Sequence, residues 1–142
     1  MTSGVLHASS DLAALRRCDG APPEFWRRYL TALGRLTEAR ELHLFSPDSS
    51  GRWRRLLAWT PEGSLPPLPP ERVIEGLDAP PDPGRTLAGE FALVPLITGD
   101  ETQRVTLALR FNSPPGSPQL APALIAADVP RDYLEQRRAT QQ

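Results

Sequence analysis

Between residues 24 and 40 the apolar positions Trp26, Tyr29, Leu30, Leu33 and Leu36 recur at spacings of three and four. At 3.6 residues per turn such positions fall on one side, so the reading is an amphipathic helix from Glu24 to Arg40. Pro23 suits its first turn, where a backbone N–H has no partner to lose. A shorter helix from Asp11 to Arg17, capped by Asp11, carries Leu12 and Leu15 on one face. The small and polar residues Met1 to Ser10 read as mobile, and Asp19-Gly20-Ala21-Pro22-Pro23 is a stop.

The period changes to two at Glu41. Leu42 and Leu44 share one face of a first strand ending at Ser46, and Pro47-Asp48-Ser49-Ser50-Gly51 has turn composition. In a second strand, Arg52 to Thr60, Trp53, Leu57 and Trp59 alternate on one face, which completes a hairpin. Two further strands, Arg85 to Thr98 and Gln103 to Asn112, flank Gly99-Asp100-Glu101. In the latter, Val105, Leu107, Leu109 and Phe111 face one way; Arg104, Thr106, Ala108 and Arg110 face the other. That alternation predicts an antiparallel sheet with one face on a core and the other partly wet. A helix starts at Ser117-Pro118 and carries Leu120, Leu124 and Ile125. Asp128-Val129-Pro130 interrupts it, and a closing helix runs through Tyr133 and Leu134.

Eight of the seventeen prolines lie between Pro61 and Pro83. Each removes a backbone donor, so this stretch is no regular core element, although Glu71 to Leu77 has room for two helical turns. It reads as a surface crossover; a lid, or a proline-rich ligand for a partner, is the functional alternative. The fold expected is α+β: an antiparallel central sheet of order near 2-1-5-4-3, with helices packed on its faces. Leu42, Leu44, Trp59, Val94, Leu96, Leu107 and Leu109 are the expected core. Residues 1–21 form an N-terminal segment with its short helix, and residues 22–142 the domain proper, its closing helix extending toward a downstream region.

Composition narrows the function classes. A net charge of −1 gives no field to gather nucleic acid. There is no apolar run of 18 residues and no basic-then-apolar start, so neither membrane insertion nor secretion is expected and the assignment is cytoplasmic. All sixteen basic residues are arginine. Phosphate recognition is one reading, but the arginines are scattered among Asp and Glu, and GC-rich coding is the plainer account. No lysine chemistry is possible. Cys18 is the only cysteine, and His7 and His43 stand thirty-six residues apart, so no metal set, cofactor site or catalytic nucleophile with its base is expected. Three features invite sharper readings. Arg16-Arg17-Cys18-Asp19 contains an Arg-x-x-Asp pattern like that of some cyclic-di-GMP sites, against an ordinary solvated helix end. Trp53 and Trp59 can stack a planar ligand or pack under a helix. His43 can sense pH or simply be covered and hydrogen bonded.

Phe91-Ala92-Leu93-Val94-Pro95-Leu96-Ile97, a polar turn, and Val105-Thr106-Leu107-Ala108-Leu109-Arg110-Phe111 together resemble the central strand pair of GAF domains. The run Leu33-Gly34-Arg35-Leu36-Thr37-Glu38-Ala39-Arg40 entering Leu42-His43-Leu44-Phe45 is similar to that family's first long helix and first strand. The resemblance spans about residues 22 to 138. It implies a profilin-like sheet and a non-catalytic regulatory or sensory role in signalling, binding a small molecule or a protein. The chain departs from the cyclic-nucleotide-binding members, whose Asn-Lys-Phe-Asp-Glu signature needs a lysine. Cys18 lacks the neighbouring histidine of bilin attachment. The members that reduce methionine sulfoxide need loop cysteines, which are absent. The alternative function is a ligand-free structural or interaction domain at the front of a larger membrane-associated secretion, transport or signalling protein.

Two sites follow. A ligand pocket is expected between the sheet and the proline-rich crossover, offered by Trp59, Leu93, Pro95 and Ala108, because an irregular cover leaves gaps. A homodimer is expected through Phe25, Trp26, Tyr29, Leu33 and Tyr133, because the apolar arc of the long helix is too wide for one partner surface. The alternative cover is residues 7–15 of the same chain.

Overall fold

The computed structural model describes residues 3–78, 86–87, 90–99, 104–113 and 115–140. The helices are α1 (Ser3–Leu15), α2 (Pro22–Thr37), α3 (Glu71–Gly76), α4 (Ser117–Ile125) and α5 (Val129–Thr140), with a 3-10 turn, Ala126–Asp128, between the last two. The strands are β1 (Glu41–Pro47), β2 (Trp53–Trp59), β3 (Thr86–Leu87), β4 (Phe91–Leu96) and β5 (Val105–Arg110). They form one antiparallel sheet in the order β2-β1-β5-β4-β3, as the strand pattern predicts. The expected long third strand is divided: β3 and β4 pair with each other instead of running on.

Register fixes what each face carries, because side chains alternate along a strand. Leu42 stands opposite Trp59 and Leu109, Leu44 opposite Leu57 and Leu107, and Val94 opposite Leu107. These residues meet Leu30, Leu33, Leu120 and Ala123 in the main core beneath the helices. The other face holds a smaller core, in which Val73 of α3 and Leu77 at its C-cap press on Phe45, Phe91, Leu93 and Ala108. That face was expected to be partly wet, and it is: Arg104 is exposed and Arg110 half-buried, while Thr106 and Ala108 are buried.

The hairpin departs from simple alternation. Leu44 pairs with Leu57 but Phe45 with Arg55, so Leu56 is an extra residue, and it is exposed. A bulge shifts the phase of everything beyond it. Trp59 therefore packs with the main core and Trp53 with the smaller one, on opposite faces, although six residues separate them. The expectation that Trp53, Leu57 and Trp59 share a face fails for this reason.

At the start of α2, Pro22 and Pro23 occupy positions whose N–H groups would be unpaired. The helix ends three residues short of the expected Arg40: Glu38 turns left-handed at φ 58, and the Arg40 N–H has joined the sheet by donating to Arg110 O at 2.8 Å. Gly34 is buried in α2 under the Trp59 indole. A Cβ there would stand 2.3 to 2.6 Å from three ring carbons. Alanine ordinarily favours a helix by about 1 kcal/mol over glycine. Here overpacking against a rigid ring outweighs that, and Gly34→Ala is expected to lower stability by about 2 kcal/mol in urea unfolding. A gain in stability would mean that the indole swings aside freely.

Residues 3–20 belong to the same body as the rest. Leu12, Leu15 and Cys18 are buried in the main core, and α1 is helical from Ser3 although the polar start read as mobile. Arg16 bonds both Asp128 and Asp132, which fastens the end of α1 to α5. The Tyr133 hydroxyl donates to Gly20 O at 2.7 Å, and its ring stacks on Phe25 with centroids 3.9 Å apart. Tyr29 donates to Ala126 O at 2.7 Å. Phe25, Tyr29, Leu33 and Tyr133 are consequently all 0% exposed within one chain. The dimer contact expected of them is corrected: α1 and α5 cover the wide apolar arc, as the fold-back alternative has it. Trp26 alone of that set is half-buried. No helix among the described residues is long and apolar enough to cross a membrane.

Candidate functional site

Three of the strands carry charged or polar residues on the face under the crossover. Glu41 of β1 lies opposite Arg110 of β5, which lies opposite Phe91 of β4. One row along, His43 faces Ala108, which faces Leu93. Arg110 Nη1 donates to Glu41 Oε2 and its Nε to Glu90 Oε2, both at 2.7 Å, with the guanidinium over the Phe91 ring. Both carboxylates, the guanidinium, Phe91 and the Pro67-Leu68-Pro69-Pro70 run line a pocket of about 310 Å³. That is near the lower limit for small-molecule sites.

His43 lies beneath, fully buried between Phe45 and Phe91. Arg55 Nη1 is 3.3 Å from its Nδ1 and also donates to Pro66 O at 2.8 Å and Pro67 O at 3.2 Å. A guanidinium only donates, so Nδ1 is the acceptor and Nε2 carries the hydrogen. Nε2 is 3.7 Å from Glu41 Oε1, too far for a hydrogen bond, and has no partner among the described residues. Arg55 thus ties the crossover to the sheet through the imidazole; the Trp53 indole N–H, donating to Asp78 Oδ1 at 2.8 Å, holds the far end.

Burial is the main cause that holds the His43 pKa down at about 4; Glu41 pulls it upward, and Arg55 and Arg110 depress it further. The unfolded chain takes up the proton near pH 6.5 and the folded one only near 4, so stability is complete above pH 6.5 and lost as pH falls toward 4. The loss expected on going to pH 4.5 is about 2 kcal/mol. His43→Gln should flatten this limb of a stability–pH curve measured by denaturant unfolding; an unchanged slope would assign the acid sensitivity to other groups.

Of the four expected pocket residues, the structure does not bring Trp59 together with the others. Its indole is on the helix side, where it lines a separate groove of about 420 Å³ with Arg27, Thr31 and Glu62. Leu93 and Ala108 are buried in the smaller core and Pro95 is half-buried beside them. They pack instead of lining the pocket under the crossover, which forms one row nearer the strand ends. The charged residues that do line it went unassigned. The available signal was polarity at inward positions: Glu41 and His43 share the face of Phe45, and Arg110 that of Ala108. His43 is covered, as the plainer of its two readings has it. Arg16 of the Arg-x-x-Asp pattern is held by Asp128 and Asp132, a structural use of that residue.

Among the described residues no cluster of histidine, cysteine or carboxylate side chains is arranged to hold a metal ion. No protein-family model matches the chain, and no curated protein matches it in sequence.

Proposed function

We propose that this is a GAF-like, non-catalytic regulatory module whose ligand enters between the crossover and the sheet, at Glu41, Glu90, Phe91 and Arg110. The observation that carries the reading is a part-buried polar group under an irregular cover: the Arg110 guanidinium, held by the buried Glu41 and the more exposed Glu90, lines a pocket beside a small apolar core. Strand order and the placement of long helices on one face and crossover on the other support the GAF likeness. A cytoplasmic setting accords with that reading. The test is a metabolite panel followed by amide chemical-shift mapping. A binder that perturbs Phe91, Arg110 and Leu68 supports the module; silence across the panel would overturn sensing.

A second reading is favoured by a different surface. Leu12, Ala13, Leu36, Pro122 and Ile125 line an apolar groove of about 420 Å³ between α1 and α4, and Ile125 is 75% exposed. Apolar exposure of that kind marks contact surfaces. It supports the interaction-domain alternative, with a protein partner or second copy there, and light scattering with Ile125→Glu as control tests self-association.

A further inference from the structure

We infer that the outward side of the crossover, from Leu65 to Pro70, is a docking ridge for a partner protein whose groove is lined by aromatic rings and rimmed by basic side chains. Burial along this segment follows a period of three. Pro66 and Pro69 are buried, whereas Leu65, Pro67, Leu68 and Pro70 are exposed. That period belongs to the polyproline II helix, which has three residues per turn and so three ridges. The backbone agrees. Proline holds φ near about −65° and keeps the residue before it extended, and Pro70 stands at φ −55 and ψ 152. One ridge, Pro66 and Pro69, lies on the protein, and Arg55 grips Pro66 O and Pro67 O. The other two ridges face outward. Leu65 is 77% exposed and Leu68 59%, one turn apart, with Pro67 and Pro70 beside them. Such a surface has a defined complement: aromatic side chains form slots that take successive turns of a proline helix, about 9 Å apart. A free proline-rich peptide must be ordered as it binds; this one is held by the fold, so less freedom is lost on docking. Charge selects the rim. Glu62, Glu71 and Glu75 are exposed and Glu90 is 43% exposed, against Arg72. An acidic surround favours a groove bordered by Lys and Arg over one bordered by carboxylates. A second copy offers no such groove, because none of the large apolar side chains exposed among the described residues is aromatic. The inference stands whether or not a small molecule enters the pocket that Pro67 to Pro70 border.

The test titrates the intact, isotope-labelled chain with a WW domain whose aromatic groove has a basic rim, and with the same domain after its rim Lys and Arg are replaced by Glu. The basic-rimmed domain is expected to bind with a Kd below about 1 mM and to shift the Leu65 and Leu68 amides most. The recharged domain should bind about tenfold more weakly. Leu65→Ser combined with Leu68→Ser, both at exposed positions, should also lower affinity about tenfold while urea unfolding of the chain stays unchanged. Binding that survives the double substitution, or amide shifts confined to other surfaces, overturns the ridge. Equal affinity for the two domains overturns the basic rim. Absence of binding up to about 1 mM overturns the docking surface itself. Self-association that is lost in the double variant would make a second copy the occupant and overturn the aromatic-groove partner.

Discussion

Phe25→Ala is expected to destabilise the domain by about 4 kcal/mol in urea unfolding, with the transition midpoint falling in proportion. Phe25 is 0% exposed and makes three ring contacts: stacked on Tyr133 at 3.9 Å, stacked on Tyr29 at 5.8 Å, and edge-on to Trp26 at 5.0 Å. Removing it opens a void at the junction of α2 and α5 that fixed neighbours cannot fill. The Tyr133 hydroxyl bond to Gly20 O depends on the same stack, so the start of α2 and the α5 helix should loosen together. The near-ultraviolet circular dichroism of the tyrosines should fall with stability. Phe25→Leu, which keeps most of the volume, should cost about 1 kcal/mol. Equal losses for the two substitutions would show that the site collapses around whatever it is given.

Arg110→Met is expected to cost about 3 kcal/mol at neutral pH, for an electrostatic reason. It leaves the Glu41 carboxylate nine-tenths buried with no counter-charge in hydrogen-bond reach, the nearest imidazole nitrogen being 3.7 Å away. Adding Glu41→Gln removes the orphaned charge and should restore about 2 kcal/mol, a coupling that a double-mutant cycle reads directly. Additive losses would mean that Glu41 is hydrated in the folded state.

The strands β1, β2 and β5, the buried face of β5 and the short α3 were legible because they depend on local periodicity and on where proline forbids regular structure. What the pattern could not carry was phase. One extra residue at Leu56 separates Trp53 from Trp59, and nothing in Arg-Arg-Leu-Leu announces it. The pocket failed for a related reason. Small apolar strand residues such as Leu93 and Ala108 satisfy one another across β4 and β5, so a cover closes on them without a gap. Space remains where bulky charged groups hold the cover off. The dimer expectation measured the apolar arc of α2 correctly but had no means of ranking its cover. That α1 fills the role follows from Arg16 meeting Asp128 and Asp132, a pairing 112 residues or more apart in the chain.

Four of the five residues from Pro66 to Pro70 are proline, and their rings fix the backbone near one φ value. Such a segment has little slack to lose when it closes over the sheet and little with which to ripple. It is a short stiff bar, pinned to the sheet by Arg55 through Pro66 O and Pro67 O, and the nearest left-handed backbone is Gly63 at φ 82. The bar is also almost silent to amide exchange, since proline has no N–H and Leu68 is its sole reporter. Exchange at the Leu68 amide is therefore the one backbone signal within the bar by which its release from the sheet would be read.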